Sequence, residues 1–165
     1  MEAGFCSVPG LRLKQGRKSS VNRSRSLPVS CAENPTAPMK FWGISHAGML
    51  VEDTQKALKF YTEVLGMIDV SERRPNLAFG GAFVQAGAQE IHLMELPNPD
   101  PKTGRPDHGG RDKHLAMGVS NIDPLIERLE SHGVVYTMSK SGRRAVFCRD
   151  IDSNALEFVE QIRDE

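Results

Sequence analysis

The chain of 165 residues lacks several features that would assign it to a class directly. It has no apolar run long enough to cross a membrane, so a transmembrane protein is not expected. Of its three cysteines, only Cys148 lies beyond the first 31 residues, so the later part of the chain cannot form an internal disulfide. Its length and average composition indicate one globular domain without a disulfide framework.

The chain also has no excess of charge of one sign, since it contains 21 basic and 21 acidic residues. These charged residues are unevenly distributed along the sequence. The first thirty residues hold six serines, one acidic residue and six basic ones. The basic ones are Arg12, Lys14, Arg17, Lys18, Arg23 and Arg25. The remainder keeps fifteen basic and twenty acidic residues. Because this remainder is mildly acidic, no nucleic-acid partner is expected.

The composition of residues 1–32 indicates a transit peptide. The segment is rich in serine and arginine, poor in acids, and lacks the apolar core of a secretory signal. Small residues in VSCAENP would permit cleavage around Cys31. We expect residues 1–32 to be disordered and to direct the protein to the chloroplast stroma, with the mitochondrion as second choice. The alternative is a basic tail that stays attached and touches an anionic partner.

Two halves of the chain carry the same arrangement of residues. Each has a histidine in a strand-like run, a helix closed by glycine, and a second metal-type ligand in a later strand. In chain order the two sets are His46, Gly66 and His92, then His114, Gly133 and Glu157. The offsets between equivalent residues are 68, 67 and 65, so the halves stay in register. This pattern predicts a duplicated supersecondary unit.

Strand alternation supports a single metal site built from both halves. His46 shares a face with Gly48, and His114 has alanine and glycine on its face, so small neighbours leave room beside each ring. Glu157 stands between two apolar residues, where a lone carboxylate is costly to bury unless it is paired or bound to metal. Each histidine alone could be an ordinary core residue, but four equivalent positions argue against coincidence. We predict one divalent metal, Zn, Ni, Mn or Fe, held by His46, His92, His114 and Glu157.

The hydrophobic pattern predicts the same βαβββ order of elements in both halves, within a folded domain over residues 39–162. The first module, about residues 41–96, would begin with a strand over residues 41–51 and a helix capped by Asp53. The second module, about residues 113–162, would contain a helix capped by Asp123. The fold class expected from this order is α+β.

A linker rich in proline and glycine, residues 97–112, joins the two modules. Loops of this kind often carry binding residues. Its histidine, His108, is expected to be solvated or at most to lie at the entrance of the site. The substrate-binding residues are not identified by the sequence.

Four segments of the sequence resemble segments of a known protein family. These segments are GISHAGMLVED, ALKFYTEVLGM, RDKHLAMGV and FCRDIDSNALEFVE. They are similar to the vicinal oxygen chelate superfamily, which includes glyoxalase I, fosfomycin-thiol transferases, methylmalonyl-CoA epimerase and extradiol dioxygenases. The stretch EIHLMELPNPDPKTGRPDHGGRDKH resembles more particularly the plastid glyoxalase-I-family proteins of plants and algae. The resemblance covers roughly residues 41–161.

This resemblance implies that the two modules curve into a half-barrel around one divalent metal, with the helices outside. It places His46, His114 and Glu157 on the family's ligand positions. It implies a homodimer, because compact members complete each site with modules from two chains. The implied activity is that of lactoylglutathione lyase, the isomerisation of a thiol adduct, such as a glutathione adduct, of a small 2-oxoaldehyde.

The chain also departs from the family pattern. His92 stands where glyoxalase I has a glutamate, which leaves Glu157 as the only ligating carboxylate able to move a proton. Phe147 and Gly48 stand where fosfomycin-thiol transferases carry a tyrosine and a threonine. The alternatives are therefore a fosfomycin-type thiol transferase, a dioxygenase-like enzyme using His46, His114 and Glu157, and a non-catalytic small-molecule binding protein.

Overall fold

The computed structural model describes residues 39–162, so the predicted transit peptide lies outside the described residues. In the first module the elements are β1 (His46–Val51), α1 (Thr54–Lys59), β2 (Ile68–Asp69), β3 (Gly81–Ala86) and β4 (Gln89–Glu95). In the second module they are β5 (His114–Val119), α2 (Asp123–Ser131), β6 (Tyr136–Met138), β7 (Ala145–Arg149) and β8 (Ala155–Glu160). The predicted α+β class and the repeated βαβββ order are confirmed. In the described part, no helix has both the length and the apolar composition that a membrane span needs.

Each module forms its own four-stranded mixed sheet. The strand orders are β1-β4-β3-β2 and β5-β8-β7-β6. The first and last strands of each module run parallel, and the other pairs are antiparallel. Gly48 lies opposite His92 in the first sheet, and Ala116 lies opposite Glu157 in the second. The repeat predicted from the sequence therefore holds at the level of single paired residues.

The helix ends follow largely from local sequence. The Asp53 side chain accepts a hydrogen bond from the backbone N–H of Lys56 at 3.0 Å and so caps α1. α1 continues into a π-helical turn over Phe60–Val64, and Gly66 follows with a φ of 75°. α2 differs by one residue from the prediction, because Asp123 is its first helical residue and Ile122 takes the cap position. Helix boundaries commonly shift by this amount.

The first strand starts later than predicted. The sequence pattern indicates a strand over residues 41–51, whereas β1 begins at His46. β4 begins at Gln89, one position before Glu90, which pairs with His46. Residues 41–44 therefore extend beyond the end of β4 and have no opposing strand residue there. The large apolar side chains left exposed there are Phe41 (84%), Trp42 (92%) and Ile44 (74%).

One continuous hydrophobic core contains side chains from both modules. Its members include Val51, Tyr61, Val84, Ile91 and Leu93 from the first module and Ile122, Leu129, Val146, Leu156 and Phe158 from the second. Ile91 and Leu93 flank His92 in sequence, and Leu156 and Phe158 flank Glu157. The core therefore receives the strand face opposite to each of these two candidate ligands. Both ligand-bearing faces are therefore turned away from the shared core.

A buried hydrogen-bond network joins the modules inside this core. The Tyr61 hydroxyl, from the end of the first helix, donates to Asp150 Oδ2 in the loop before β8 at 3.0 Å. Asp150 also accepts from the backbone N–H groups of Asp152 and Asn154 and from the Asn154 side chain. Asn154 in turn donates to the Leu50 carbonyl of β1 at 3.0 Å. Burial raises the pKa of the Asp150 carboxyl, whereas the hydrogen bonds donated to it act in the opposite direction.

Substituting Tyr61→Phe should lower the free energy of unfolding by about 1.5–3 kcal/mol, because a buried hydrogen bond to a carboxyl group is lost. The matched control is Tyr136→Phe, which removes a hydroxyl that donates to Glu130 at 2.7 Å at an exposed position. That control should cost less than about 0.5 kcal/mol. Urea denaturation of both variants measures the difference, and equal losses would contradict the role of the buried network.

Candidate metal centre

The first half-site consists of His46, His92 and Glu90, which share one face of the first sheet. The rings of His46 and His92 are stacked, with centroids 4.1 Å apart and planes 13° apart. On its other side His92 stacks on Phe83 at 3.6 Å, with planes 6° apart. Glu90 Oε2 lies 3.3 Å from His92 Nε2, and Arg73 donates to Glu90 Oε1 at 3.1 Å. Strand pairing brings the two predicted ligands of this module together.

The stack limits how these two rings can bind one ion. A metal ion binds in the plane of an imidazole ring, along the lone pair of a nitrogen atom. Because the planes of His46 and His92 are nearly parallel, their lone pairs do not converge on one point. One of the two rings must therefore turn before both can bind the same ion.

The second half-site consists of His114 and Glu157. His114 Nε2 lies 3.0 Å from Glu157 Oε2. On the other side of the ring, His114 Nδ1 lies 2.8 Å from the Asp112 carbonyl. A carbonyl oxygen only accepts hydrogen bonds, so Nδ1 carries a proton and donates it. In the neutral ring, Nε2 then holds the free lone pair and faces the carboxylate.

This arrangement fits a divalent ion. A lone pair and a carboxylate oxygen repel each other at 3.0 Å unless a cation lies between them, either a proton on His114 or a metal ion. Two atoms bound at about 2.1 Å to one ion lie about 3.0 Å apart at the right angle of an octahedral site and about 3.4 Å apart at a tetrahedral angle. A backbone carbonyl that fixes the tautomer of a histidine is also a common partner of metal-binding imidazoles. The second half-site therefore offers a pair of ligand atoms at a suitable separation.

Glu157 is the most deeply buried of the four predicted ligands. It is 4% exposed, and the strand neighbours Leu156 and Phe158 are buried in the core. Arg143, from the loop before β7, lies 3.5 Å from Glu157 Oε1. The two carboxylate oxygens thus face different partners, a histidine at Oε2 and a guanidinium at Oε1. The position of Glu157 follows from strand pairing, because it lies between Ala116 and Phe147 on the neighbouring strands.

The linker holds the backbone that orients His114. The Asp112 side chain accepts hydrogen bonds from Arg105 at 2.7 Å and from Arg149 at 2.8 Å. These guanidinium groups, Arg105 foremost, hold the pKa of the Asp112 carboxyl well below its usual range. Since Asp112 also provides the carbonyl that accepts from His114, the ion pairs of the linker determine the orientation of the ligand.

One expectation from the sequence was that His108 would be solvated. The structure shows instead that its side chain does not lie free in solvent. Its ring is half-buried and packs edge-on against Phe147, with centroids 4.8 Å apart. Its Nδ1 lies 2.8 Å from the Thr137 hydroxyl. Gly109 and Gly110 follow, and a Cβ at either would meet Phe147 at 3.2 or 3.1 Å, so glycine lets the linker approach this ring closely. His108 therefore borders the same sheet face as the second half-site.

The structure joins the four predicted ligands in two pairs rather than in one cluster. Within residues 39–162, no three His, Cys, Asp or Glu side chains form a group that could hold a metal ion. A groove of about 940 Å³ runs between the modules along the edge of β5. It is lined by residues 115–119 of β5, by His46 and Glu90, and by the β3–β4 turn. Each module thus presents half of a site.

Sequence reasoning missed two charged side chains of these half-sites. Glu90 is two positions before His92, and strand alternation would have placed it on the same face. Arg143 lies in a loop, where no periodicity predicts direction. Its contact with Glu157 depends on how the β6–β7 connection folds back over the sheet.

Residues 43–158 match the family model described as the Glyoxalase/Bleomycin resistance protein/Dioxygenase superfamily. The chain is 30% identical over 124 residues to YaeR, an uncharacterized protein of Escherichia coli, with 72% of this chain and 95% of that protein covered. It is 31% identical over 127 residues to lactoylglutathione lyase of Haemophilus influenzae, with 71% and 91% covered. All four predicted ligands lie inside the matched range.

A similar fold occurs in the crystal structure of a mutant fosfomycin resistance protein from Listeria monocytogenes. That protein was complexed with Mn(II) and 1S,2S-dihydroxypropylphosphonic acid. The TM-score is 0.58 at 18% identity, with 74% of this chain and 95% of that chain covered. At this identity the likeness concerns the fold alone.

Proposed function

Because the chain belongs to the Glyoxalase/Bleomycin resistance protein/Dioxygenase superfamily, we propose that it is a metal-dependent enzyme of the glyoxalase I type. The reaction would be the isomerisation of a thiol adduct of a small 2-oxoaldehyde, as in lactoylglutathione lyase. The observation that carries the proposal is the pair of His114 and Glu157, whose facing Nε2 and Oε2 atoms lie 3.0 Å apart, a separation that one divalent ion can bridge. The similarity to a lactoylglutathione lyase supports the same choice.

The proposed ligands are His46, His92, His114 and Glu157, a set of three imidazoles and one carboxylate. This set suits Zn, Ni, Mn or Fe better than Ca, which prefers oxygen ligands. When bound, the ion would polarise the substrate carbonyl and ease removal of a proton from the neighbouring carbon. The protein must then provide an open coordination position and one well-placed base.

Glu157 is the base that we propose. Its Oε2 faces His114, which leaves Oε1 as the oxygen able to accept and return the substrate proton. Arg143 faces Oε1 at 3.5 Å and would help to hold the carboxylate in place. Burial of Glu157 at 4% exposure keeps water away from this oxygen. A single positioned base of this kind contributes about 10²- to 10⁴-fold to the rate.

One observation favours a second candidate function. If the contact with Glu90 occupies the nitrogen of His92 that would bind the ion, the ligand set reduces to His46, His114 and Glu157. Two histidines and one carboxylate leave more coordination positions open, as in iron-dependent oxygenases. A dioxygenase-like enzyme or a fosfomycin-type thiol transferase would use such a set. A binding protein without catalysis is the remaining alternative.

We predict weak, metal-dependent isomerisation of the methylglyoxal–glutathione adduct by the wild-type chain, and a rise of about 10²-fold for His92→Glu, which restores a second carboxylate. His114→Ala should lose most of the bound metal and the activity, because removing one of few ligands severely lowers affinity. Elemental analysis and product formation are measured on the same samples. If neither the wild type nor His92→Glu is active with any of the four metals, the lyase assignment is wrong.

We propose in addition that the site is completed in a homodimer. β1 and β5, which carry His46 and His114, each pair with a strand on one side only in the described structure. Edge strands with free N–H and C=O groups readily pair with another chain. The exposed apolar residues before β1 would also gain cover there. Pairing β1 with β5 of a second copy would bring His46 beside His114 of the partner subunit.

Co-refolding His46→Ala chains with Glu157→Ala chains should restore about one quarter of the wild-type metal sites, since half of the dimers are mixed and each has one intact site. The control mixture, His114→Ala with Glu157→Ala, should restore none, because both defects lie in the same module. Zinc content after dialysis measures the sites, and sedimentation measures the assembly. A monomer that binds a full complement of zinc would rule out the shared site.

The remaining proposal concerns location in the cell. The serine- and arginine-rich composition of residues 1–32 supports delivery to the plastid, with the mitochondrion as second choice. We predict that these residues, fused to a fluorescent reporter, direct it to chloroplasts in plant cells. A reporter in which the six basic residues are replaced by glutamine serves as the control. Retention of the unmodified fusion in the cytosol would disprove the targeting role.

A further inference from the structure

Glu90 has a place in the first half-site that the proposed activity does not use. It lies directly opposite His46 in the pairing of β1 with β4, and on the same face as His92. One carboxylate oxygen faces His92 Nε2 at 3.3 Å, and the other accepts from Arg73 at 3.1 Å. The Arg73 guanidinium, which donates to Glu90 Oε1, keeps Glu90 in its carboxylate form, so that both of its oxygens act as acceptors.

This contact determines which nitrogen of His92 carries the proton. An ionised carboxylate only accepts hydrogen bonds, so His92 Nε2 must be the donor. In the neutral ring the lone pair is then on Nδ1. The Asp112 carbonyl makes the corresponding selection in the second half-site, where it leaves the lone pair of His114 on Nε2. Each module therefore contains a histidine whose tautomer is set by an acceptor outside the proposed ligand set.

The orientation of the His92 ring plane is also restricted, because other rings stack on both of its faces. Phe83 stacks on one face at 3.6 Å and His46 on the other at 4.1 Å. His46, by contrast, is exposed, and its only side-chain hydrogen bond in the described structure is a 3.4 Å contact with Ser45. Of the two stacked rings, His46 is therefore the one free to turn toward a shared ion.

We propose that Glu90 is a positioning residue, which fixes His92 as the Nε2–H tautomer so that Nδ1 is the atom offered to a divalent cation. This proposal rests on the metal site of the proposed function but not on the reaction. It pairs a carboxylate with a candidate histidine ligand on the same strand, β4. Such outer partners orient the ligand and raise its basicity.

The first test reads the tautomer in the full-length, metal-free protein. Long-range ¹H–¹⁵N NMR at about pH 8, where an ordinary imidazole is neutral, distinguishes the two tautomers. We expect His92 to be the Nε2–H form in the wild type and a mixture in Glu90→Gln, because an amide can donate as well as accept. The control is Glu72→Gln, which removes an exposed carboxylate 3.7 Å from Arg73 without touching His92. An unchanged His92 tautomer in Glu90→Gln would overturn the proposal.

The second test measures zinc affinity by competition with a chelator. Glu90→Gln should bind Zn²⁺ about 10- to 100-fold more weakly, as is usual when the outer partner of a ligand is lost. Glu72→Gln should bind it as the wild type does, and Glu90→Asp should recover part of the affinity. Equal affinity in the wild type and Glu90→Gln would overturn the proposal. Zinc binding that depends on Glu90, in a protein without isomerase activity, would refute the proposed function alone.

Discussion

The packing of both modules into one core is the constraint on which the rest of the structure depends. Side chains alternate along a strand, so burying Leu156 and Phe158 turns Glu157 to the opposite face, and burying Ile91 and Leu93 does the same for His92. The core contains residues of both modules, so both ligand faces point away from it. Within one described chain, the predicted ligands therefore lie as two pairs, one on each sheet.

Two of the predicted ligands are oriented by groups outside the predicted ligand set. His114 donates to the Asp112 carbonyl, whose side chain is held by Arg105 and Arg149. Two ion pairs of the linker therefore act on the ligand through a single peptide group. In the first module a carboxylate, rather than a carbonyl, has the same role toward His92. The two halves of the repeat thus reach similar ligand orientation by different chemistry, as expected where the backbone is duplicated and the side chains have diverged.

Much of this arrangement could be predicted from the sequence because it follows from periodicity. The repeat predicted two similar modules, and the pairing of Gly48 with His92 and of Ala116 with Glu157 confirms its register. The repeat also assigned two of the predicted ligands to each module, but periodicity alone does not show that the two pairs stay apart within one chain, since this depends on which sheet faces share the core. For His108 the sequence left two alternatives open, and the structure favours a position at the border of the second half-site over a solvated one. Its contact with Phe147 requires the linker to cross the sheet, and no local pattern encodes that path.

In the proposed metal site, His92 would affect both charge and basicity. A neutral imidazole in the place of a carboxylate ligand would leave a bound ion with about one more positive charge, which favours an anion at an open position. The Glu90 carboxylate adds one negative charge near His92. The Arg73 guanidinium neutralises this charge, with its Nη1 atom 3.1 Å from Glu90 Oε1. The first module therefore provides orientation without a spare base. Under the proposed function, proton transfer would depend on Glu157 alone, and this is why we expect a slow lyase rather than an efficient one.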